Sequence, residues 1–209
     1  SQINEIHDVK IIRPDKNLGP AGGRNFGAKY STGDYILFLD HDVVLEKDAI
    51  DKMVDVLETN SDIGVLGPQI LFRSYTDKVW WSGGTVKIPS GKVIMSSRKL
   101  SGLVDTDVVP AAIMVRREVF DRIGGFYEKY FATFEDSDFC FRAKRAGYRV
   151  VCVCDALAYH DIEPVDMERI FSRMYFIFRN RILFMKRNSN KYSFLIYLLL
   201  YNQLYTLYY

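Results

Sequence analysis

Five consecutive apolar residues, Tyr35-Ile36-Leu37-Phe38-Leu39, stand between a turn at Thr32-Gly33-Asp34 and the triplet Asp40-His41-Asp42. The run is too short for a helix and lacks the polar alternation of a strand with one wet face. It reads as a strand buried on both sides, as in a parallel sheet covered by helices. Ala49, Ile50, Met53, Val54 and Leu57 recur at helical spacing and predict an amphipathic helix over residues 47–59. Ile63–Phe72, Val108–Val115 and Arg149–Cys154 read as further extended segments, and Arg117–Ile123 as a short helix closed by Gly124-Gly125. Asp136 or Ser137 is placed to cap a helix ending at Ala146, with Gly147 just beyond it. Near the start, Val9–Ile12 predicts a short strand and Arg24–Tyr30 a helix; residues 73–107 are mixed, with turns at Gly83-Gly84 and Pro89-Ser90-Gly91. Strands alternating with helices predict an α/β fold, a mainly parallel sheet flanked by helices.

With 209 residues, 48% of them hydrophobic, the chain holds one good-sized domain or a domain with an appendage, and disorder is excluded. The 28 basic and 26 acidic residues nearly cancel, which argues against nucleic acid as a partner. Cys140, Cys152 and Cys154 are too few and too clustered for a disulfide framework, and no second Cys or His pair stands at zinc-ligand spacing. Reduced, buried thiols are expected.

The chemistry concentrates where strands end. In α/β sheets ligands bind at the carboxyl ends of strands, which is where Asp40-His41-Asp42 falls. Two carboxylates two residues apart can point into one site, and a divalent cation with oxygen ligands, Mn²⁺ or Mg²⁺, relieves their repulsion and bridges to a pyrophosphate. The plainer alternative is one Asp capping the following turn and the other solvated. A second acidic cluster, Glu135-Asp136-Ser137-Asp138, follows Phe131 and Phe134, and Tyr159-His160 follows the strand at 149–154. Acids at a helix start are common for dipole reasons alone. Together, though, the acid pair, the acidic cap and the histidine all fall at places that converge on one rim of a sheet.

Taken in order, these residues resemble the family 2 glycosyltransferases, enzymes of GT-A fold that use nucleotide-diphosphate sugars. The resemblance rests on Asn17-Leu18-Gly19 with Gly23-Arg24-Asn25, on Phe38-Leu39-Asp40-His41-Asp42 as the DXD motif, and on Trp81-Ser82-Gly83-Gly84. It continues in Arg116-Arg117-Glu118-Val119-Phe120 with Gly124-Gly125-Phe126, in Phe134-Glu135-Asp136-Ser137-Asp138 with Arg142 and Ala146-Gly147-Tyr148 as the ED motif and its helix, and in Ala158-Tyr159-His160. It implies a metal-dependent, inverting transfer of a sugar from a UDP-, GDP- or dTDP-linked donor to a hydroxyl of a glycan or lipid-linked acceptor. Asp42 and His160 would ligate the metal. Asp40, Arg24 and Asn25 would lie at the nucleotide sugar, and Asp136 would be the catalytic base. Glu135, Asp138, Arg142 and Trp81 would contact the acceptor or support the cluster. Two other readings stay open: another metal-dependent phosphoryl- or nucleotidyl-transferring enzyme, and a non-catalytic module that binds sugar or a partner. The family's opening strand and base-reading acid have no counterpart here, so about one βαβ unit, roughly 30 residues, is expected upstream of Ser1.

The tail, residues 165–209, differs from the catalytic part, 1–164. Arg169, Arg173, Arg179, Arg181, Lys186, Arg187 and Lys191 are set among Phe171, Tyr175, Phe178, Ile182 and Met185, which recur every three or four residues. Such a helix suits an anionic membrane surface; it suits equally well a helix packed on the catalytic domain with a solvated basic face. Tyr192–Tyr209 is uncharged, is at the lower length limit for spanning a bilayer, and carries Tyr197, Tyr201, Tyr205 and Tyr209 in steps of four. The expected location is the cytoplasmic face of a membrane.

Overall fold

The computed structural model describes residues 9–162 and 167–204, with side chains from 173 onward in the second segment. After α1 (Gly19–Ala28) the chain runs through β1 (Tyr35–Leu39), β2 (Val43–Leu45), α2 (Ala49–Thr59), β3 (Ile63–Phe72) and β4 (Val79–Trp81). A hairpin of β5 (Gly84–Lys87) and β6 (Lys92–Met95) and the short β7 (Leu103–Asp105) lead into β8 (Ala112–Arg116), α3 (Arg117–Ile123), α4 (Glu135–Arg145) and β9 (Arg149–His160). The chain closes with α5 (Met167–Asn188), α6 (Lys191–Ile196) and a π-turn at Tyr197–Tyr201.

The main sheet has the path β1-β8-β3-β9-β2, with β4 on β3 and β7 on β9. β1, β3 and β9 share one direction, as the α/β pattern requires. The sheet is nevertheless mixed: among the described residues only β3 and β9 are hydrogen-bonded in parallel, because β8 inserts antiparallel between β1 and β3. Both faces are covered. Ile36 and Phe38 of β1, Val65 of β3, and Val150, Cys152 and Cys154 of β9 enter one apolar cluster with Phe126 and Phe139. Their alternating neighbours Leu37, Leu66, Val151 and Val153 pack against Met53 and Leu57 of α2. That alternation, with both sets apolar, is the signal read in the sequence as a doubly buried strand. All three cysteines are buried and unbridged, as expected.

Several boundaries differ from the sequence reading. No strand forms at Val9–Ile12. Helix α1 begins at Gly19 rather than Arg24; Pro20 sits in its first turn, where a missing N–H costs nothing. Gly19 itself has φ +66°, and a Cβ there would lie 2.5 Å from the Phe131 carbonyl oxygen, so glycine is required for α1 to approach that loop. β8 starts at Ala112, not Val108, because Pro110 and Ala111 (φ +60°) turn the chain into the sheet. β9 extends to His160 through a register shift opposite Pro68/Gln69, so His160 lies within the strand rather than beyond it. Helix α4 is preceded by Phe134 in the left-handed region (φ +65°), so Asp136 lies in the first turn instead of capping it.

The basic tail packs on the domain. Phe184, Met185 and Tyr197 are buried with Val86, Tyr130 and Phe134 in a third cluster. The charges follow suit: Arg179 donates to the Lys129 carbonyl (2.7 Å) and Arg187 pairs with Asp138 (3.2 Å). Among the described residues no helix is long and apolar enough to cross a membrane.

Candidate active site

Strand register assembles the first half of the site. Val43 of β2 is opposite His160 of β9, and the Asp161 N–H donates to the Asp42 carbonyl (2.8 Å). His160 is thereby brought beside Asp42, with Nε2 3.3 Å from Oδ1. His160 is almost fully buried and meets Trp80 edge-to-face, ring centroids 4.5 Å apart. A carboxylate oxygen and an imidazole nitrogen held this way suit a divalent cation such as Mn²⁺ or Mg²⁺. No group of three or more ligating side chains occurs among the described residues. A hard cation held by Asp42 and His160 would need further oxygen ligands from outside the protein.

Arg24 ties the two halves together. It donates to Asp40 Oδ1 (2.8 Å) and to Glu135 Oε1 (3.2 Å), joining α1, the end of β1 and the start of α4. Burial works against its charge, but Asp40 and Glu135 more than offset this and hold its pKa above the ordinary value. Burial, together with Asp136 alongside, pushes the Glu135 carboxyl up; its Oε2 is buried without a hydrogen-bond partner.

Asp136 stands in the second half. Its Oδ1 accepts from the Ser137 N–H (2.6 Å) and hydroxyl (3.2 Å), which orients the carboxylate and leaves Oδ2 uncommitted. Burial raises its pKa, against the lowering influence of Arg24 and the Ser137 bonds. The backbone leading to it is strained, with positive φ at Phe131, Thr133 and Phe134. One buried side chain, Asn180 of α5, holds that loop through its amide nitrogen, which donates to the carbonyls of Tyr130 (2.8 Å), Ala132 (2.5 Å) and Thr133 (2.9 Å).

Two cavities meet here. One, of about 590 Å³, is lined by Phe38, Asp40, His41 and Asp42. The other, of about 340 Å³, is lined by Trp80, Met95, Glu135, Asp136, Ser137 and His160. Pro20, Arg24, Asp40 and Arg173 belong to both walls.

Six of the ten residues expected at the site line one cavity or both: Arg24, Asp40, Asp42, Glu135, Asp136 and His160. The other four do not. Asn25, expected at the nucleotide, spends its amide on Phe126 (2.8 Å to the carbonyl, 2.8 Å from the N–H) and on Glu128. Asp138, expected near the acceptor, is fully buried and accepts from Tyr130, Arg142, Arg187 and Asn188. Arg142 donates to Asp138 (2.7 Å) and to the Ile123 carbonyl (2.6 Å). Trp81 lies in the core, and its neighbour Trp80 takes the cavity wall, because adjacent strand residues face opposite sides. Asn180 and Arg173 had no signal as site residues: both come from the helix whose basic character suited a membrane surface and packing on the catalytic domain equally well.

The chain resembles several characterised proteins. It is 28% identical over 185 residues to the low-salt glycan biosynthesis hexosyltransferase Agl10 of Haloferax volcanii, covering 84% of this chain and 60% of that protein. Among solved structures, the mannosyltransferase PcManGT from Pyrobaculum calidifontis in complex with GDP-Man and Mn²⁺ superposes with TM-score 0.59 at 14% identity, over 87% of this chain and 47% of that one. GalNAc-T7 with UDP, GalNAc and Mn²⁺ gives TM-score 0.61 at 14% identity, over 74% and 32%. The chain thus spans three fifths or less of each of these relatives, and the fold they share with it is the GT-A arrangement. The profile described as "Glycosyl transferase family 2" matches residues 1–124, more than half of the chain, which therefore belongs to that family.

Proposed function

We propose that the protein is an inverting, metal-dependent glycosyltransferase moving a sugar from a UDP-, GDP- or dTDP-linked donor to a hydroxyl of a glycan or lipid-linked acceptor. One observation carries this reading. The Asp42–His160 pair and the Asp136 carboxylate stand on two adjoining cavities that share the Arg24–Asp40 wall. A direct displacement needs a counter-charge for the leaving diphosphate on one side of the sugar and a proton acceptor on the other. Asp42 and His160 would hold Mn²⁺ or Mg²⁺, which supplies the counter-charge when bound. Asp40, fixed by Arg24, faces the nucleotide side, and Asp136 takes the proton of the attacking hydroxyl. The Haloferax relative, named for glycan biosynthesis, supports a glycan product.

The test is release of nucleoside diphosphate from a panel of UDP-, GDP- and dTDP-sugars with Mn²⁺ or Mg²⁺ and a mixed acceptor pool. One donor is expected to be consumed only when metal and acceptor are both present, with loss of turnover in Asp42→Asn and His160→Ala. Nucleotide turnover independent of any acceptor would point to a nucleotidyl transfer instead.

We also infer that residues 192–204 rest on a lipid surface. Tyr192 (82% exposed), Leu195, Leu199, Leu200 and Leu204 present apolar side chains to solvent next to Lys186 and Lys191. Sedimentation with vesicles containing anionic phosphatidylglycerol is expected to pull down the protein, and Leu199→Asp with Leu200→Asp to release it; equal sedimentation of the two would reject a lipid contact.

A further inference from the structure

Resting on the transfer reading above, we propose that Arg173 of α5 binds the donor's diphosphate at the seam between the two cavities and steadies the leaving phosphate. Charge is the first argument. Four carboxylates, Asp40, Asp42, Glu135 and Asp136, face the two cavities, and an anionic ligand must enter among them. Among the described lining residues the only lysine or arginine side chains are Arg24 and Arg173. Arg24 is taken by Asp40 (2.8 Å) and Glu135 (3.2 Å). Arg173 makes no hydrogen bond or ion pair among the described residues and is exposed. A guanidinium without a carboxylate partner, on the wall of an acidic cleft, is suited to a phosphate, which it can grip through two N–H groups at once.

Position is the second argument. Arg173 belongs to both walls, so the residue stands where the cavities join. The bond to be broken, between the anomeric carbon and the diphosphate oxygen, has to lie at such a junction. In the transfer this bond breaks with its electron pair staying on the phosphate oxygen, the acceptor oxygen bonds to carbon, and its proton passes to Asp136. Negative charge therefore grows on the phosphate at the seam, where a nearby cation helps most.

The helix fixes that placement. Arg173, Asn180, Phe184 and Arg187 fall at steps of seven, four and three residues, one face of α5. Asn180 and Phe184 are buried against the domain, and Arg187 pairs with buried Asp138. Three anchors on one face hold the arginine two turns upstream over the cleft.

The test measures binding by titration calorimetry in the intact protein, with whichever of UDP, GDP and dTDP the unaltered protein binds and with the matching monophosphate. Arg173→Ala is expected to weaken the diphosphate by about 10- to 100-fold, the range of a charge-assisted contact, and to leave the monophosphate within about twofold; Arg173→Lys should recover part of the loss. Turnover should fall in the same order, while the melting temperature stays within about 2 °C because the side chain is exposed and makes no hydrogen bond or ion pair among the described residues. Unchanged diphosphate affinity in Arg173→Ala, or equal weakening of both nucleotides, overturns the assignment. Failure of the unaltered protein to bind any of the three diphosphates overturns the transfer reading itself, and is seen before a variant is made.

Discussion

Replacing Asp136 by Asn is expected to lower sugar transfer by about 10²- to 10⁴-fold, the contribution of a positioned general base, while donor binding stays intact. The acids around it are committed elsewhere. Glu135 is paired with Arg24, and Asp138 is enclosed by four donors. Asp136 has one oxygen oriented by the neutral donors of Ser137 and the other uncommitted on the cavity wall, whereas Glu135, although its Oε2 is also unbonded, has its charge held by Arg24. Asn keeps the size and shape but cannot take the proton. Burial, with Asp40 adding to it, raises the Asp136 pKa. The reaction needs the ionised form, so activity should fall as pH drops through that raised value. The acid limb of the kcat/KM profile is thus expected above the ordinary aspartate value of about 4, and Asp136→Asn should abolish the limb along with the activity. Nucleotide affinity by calorimetry separates lost chemistry from lost binding. Full transfer by the Asn variant would return the proton-acceptor role to another group.

The same substitution two residues on should act through stability. Asp138→Asn is expected to destabilise the fold by about 3–5 kcal/mol, the cost of breaking a buried ion pair by removing one partner. The Asp138 carboxylate is fully buried, with Arg142 at 2.7 Å, Arg187 and Tyr130 within 3.2 Å, and Asn188 at 2.8 Å. The substitution leaves two guanidiniums without their counter-charge. At this chain length the loss corresponds to a melting temperature lower by roughly 6–20 °C. Burial alone would raise the Asp138 pKa, but the bonds from Asn188 and the two arginines outweigh it and depress it. A depressed carboxyl stabilises fully above its unfolded value near 4 and loses that contribution as pH falls through its folded value. Melting curves of the two proteins should therefore differ widely at pH 7 and converge in acid. Curves within about 2 °C at pH 7 would mean that the four donors find other partners.

These two predictions separate residues that the sequence groups together. Glu135, Asp136 and Asp138 read as one acidic cluster, yet one neutralises Arg24, one faces the cavity and one is sealed beneath α5. Helical geometry makes the distinction. Successive residues in the first turn of α4 point about 100° apart, and what each meets depends on Arg24, more than 100 positions earlier, and on α5, nearly 50 positions later.

What the sequence determined by itself was carried by local physics. An apolar run with no polar alternation marked Tyr35–Leu39 as a doubly buried strand, Ile63–Phe72 read as a further extended segment, the four-residue spacing of Ala49, Met53 and Leu57 marked α2, and Gly124 and Gly147 marked helix ends. The acids and histidine at strand ends and helix starts named Asp40, Asp42, Glu135, Asp136 and His160, all of which line the two cavities. Only the tertiary structure decided the rest. It inserted β8 antiparallel, spent Asn25 and Asp138 on the scaffold, set Trp80 rather than Trp81 at the wall, and packed a basic helix on the domain so that Asn180 holds the loop before α4 and Arg173 lines the cleft. Composition and periodicity report which face of an element is apolar. Which distant partner a polar side chain finds is set by register and packing between elements far apart in the chain.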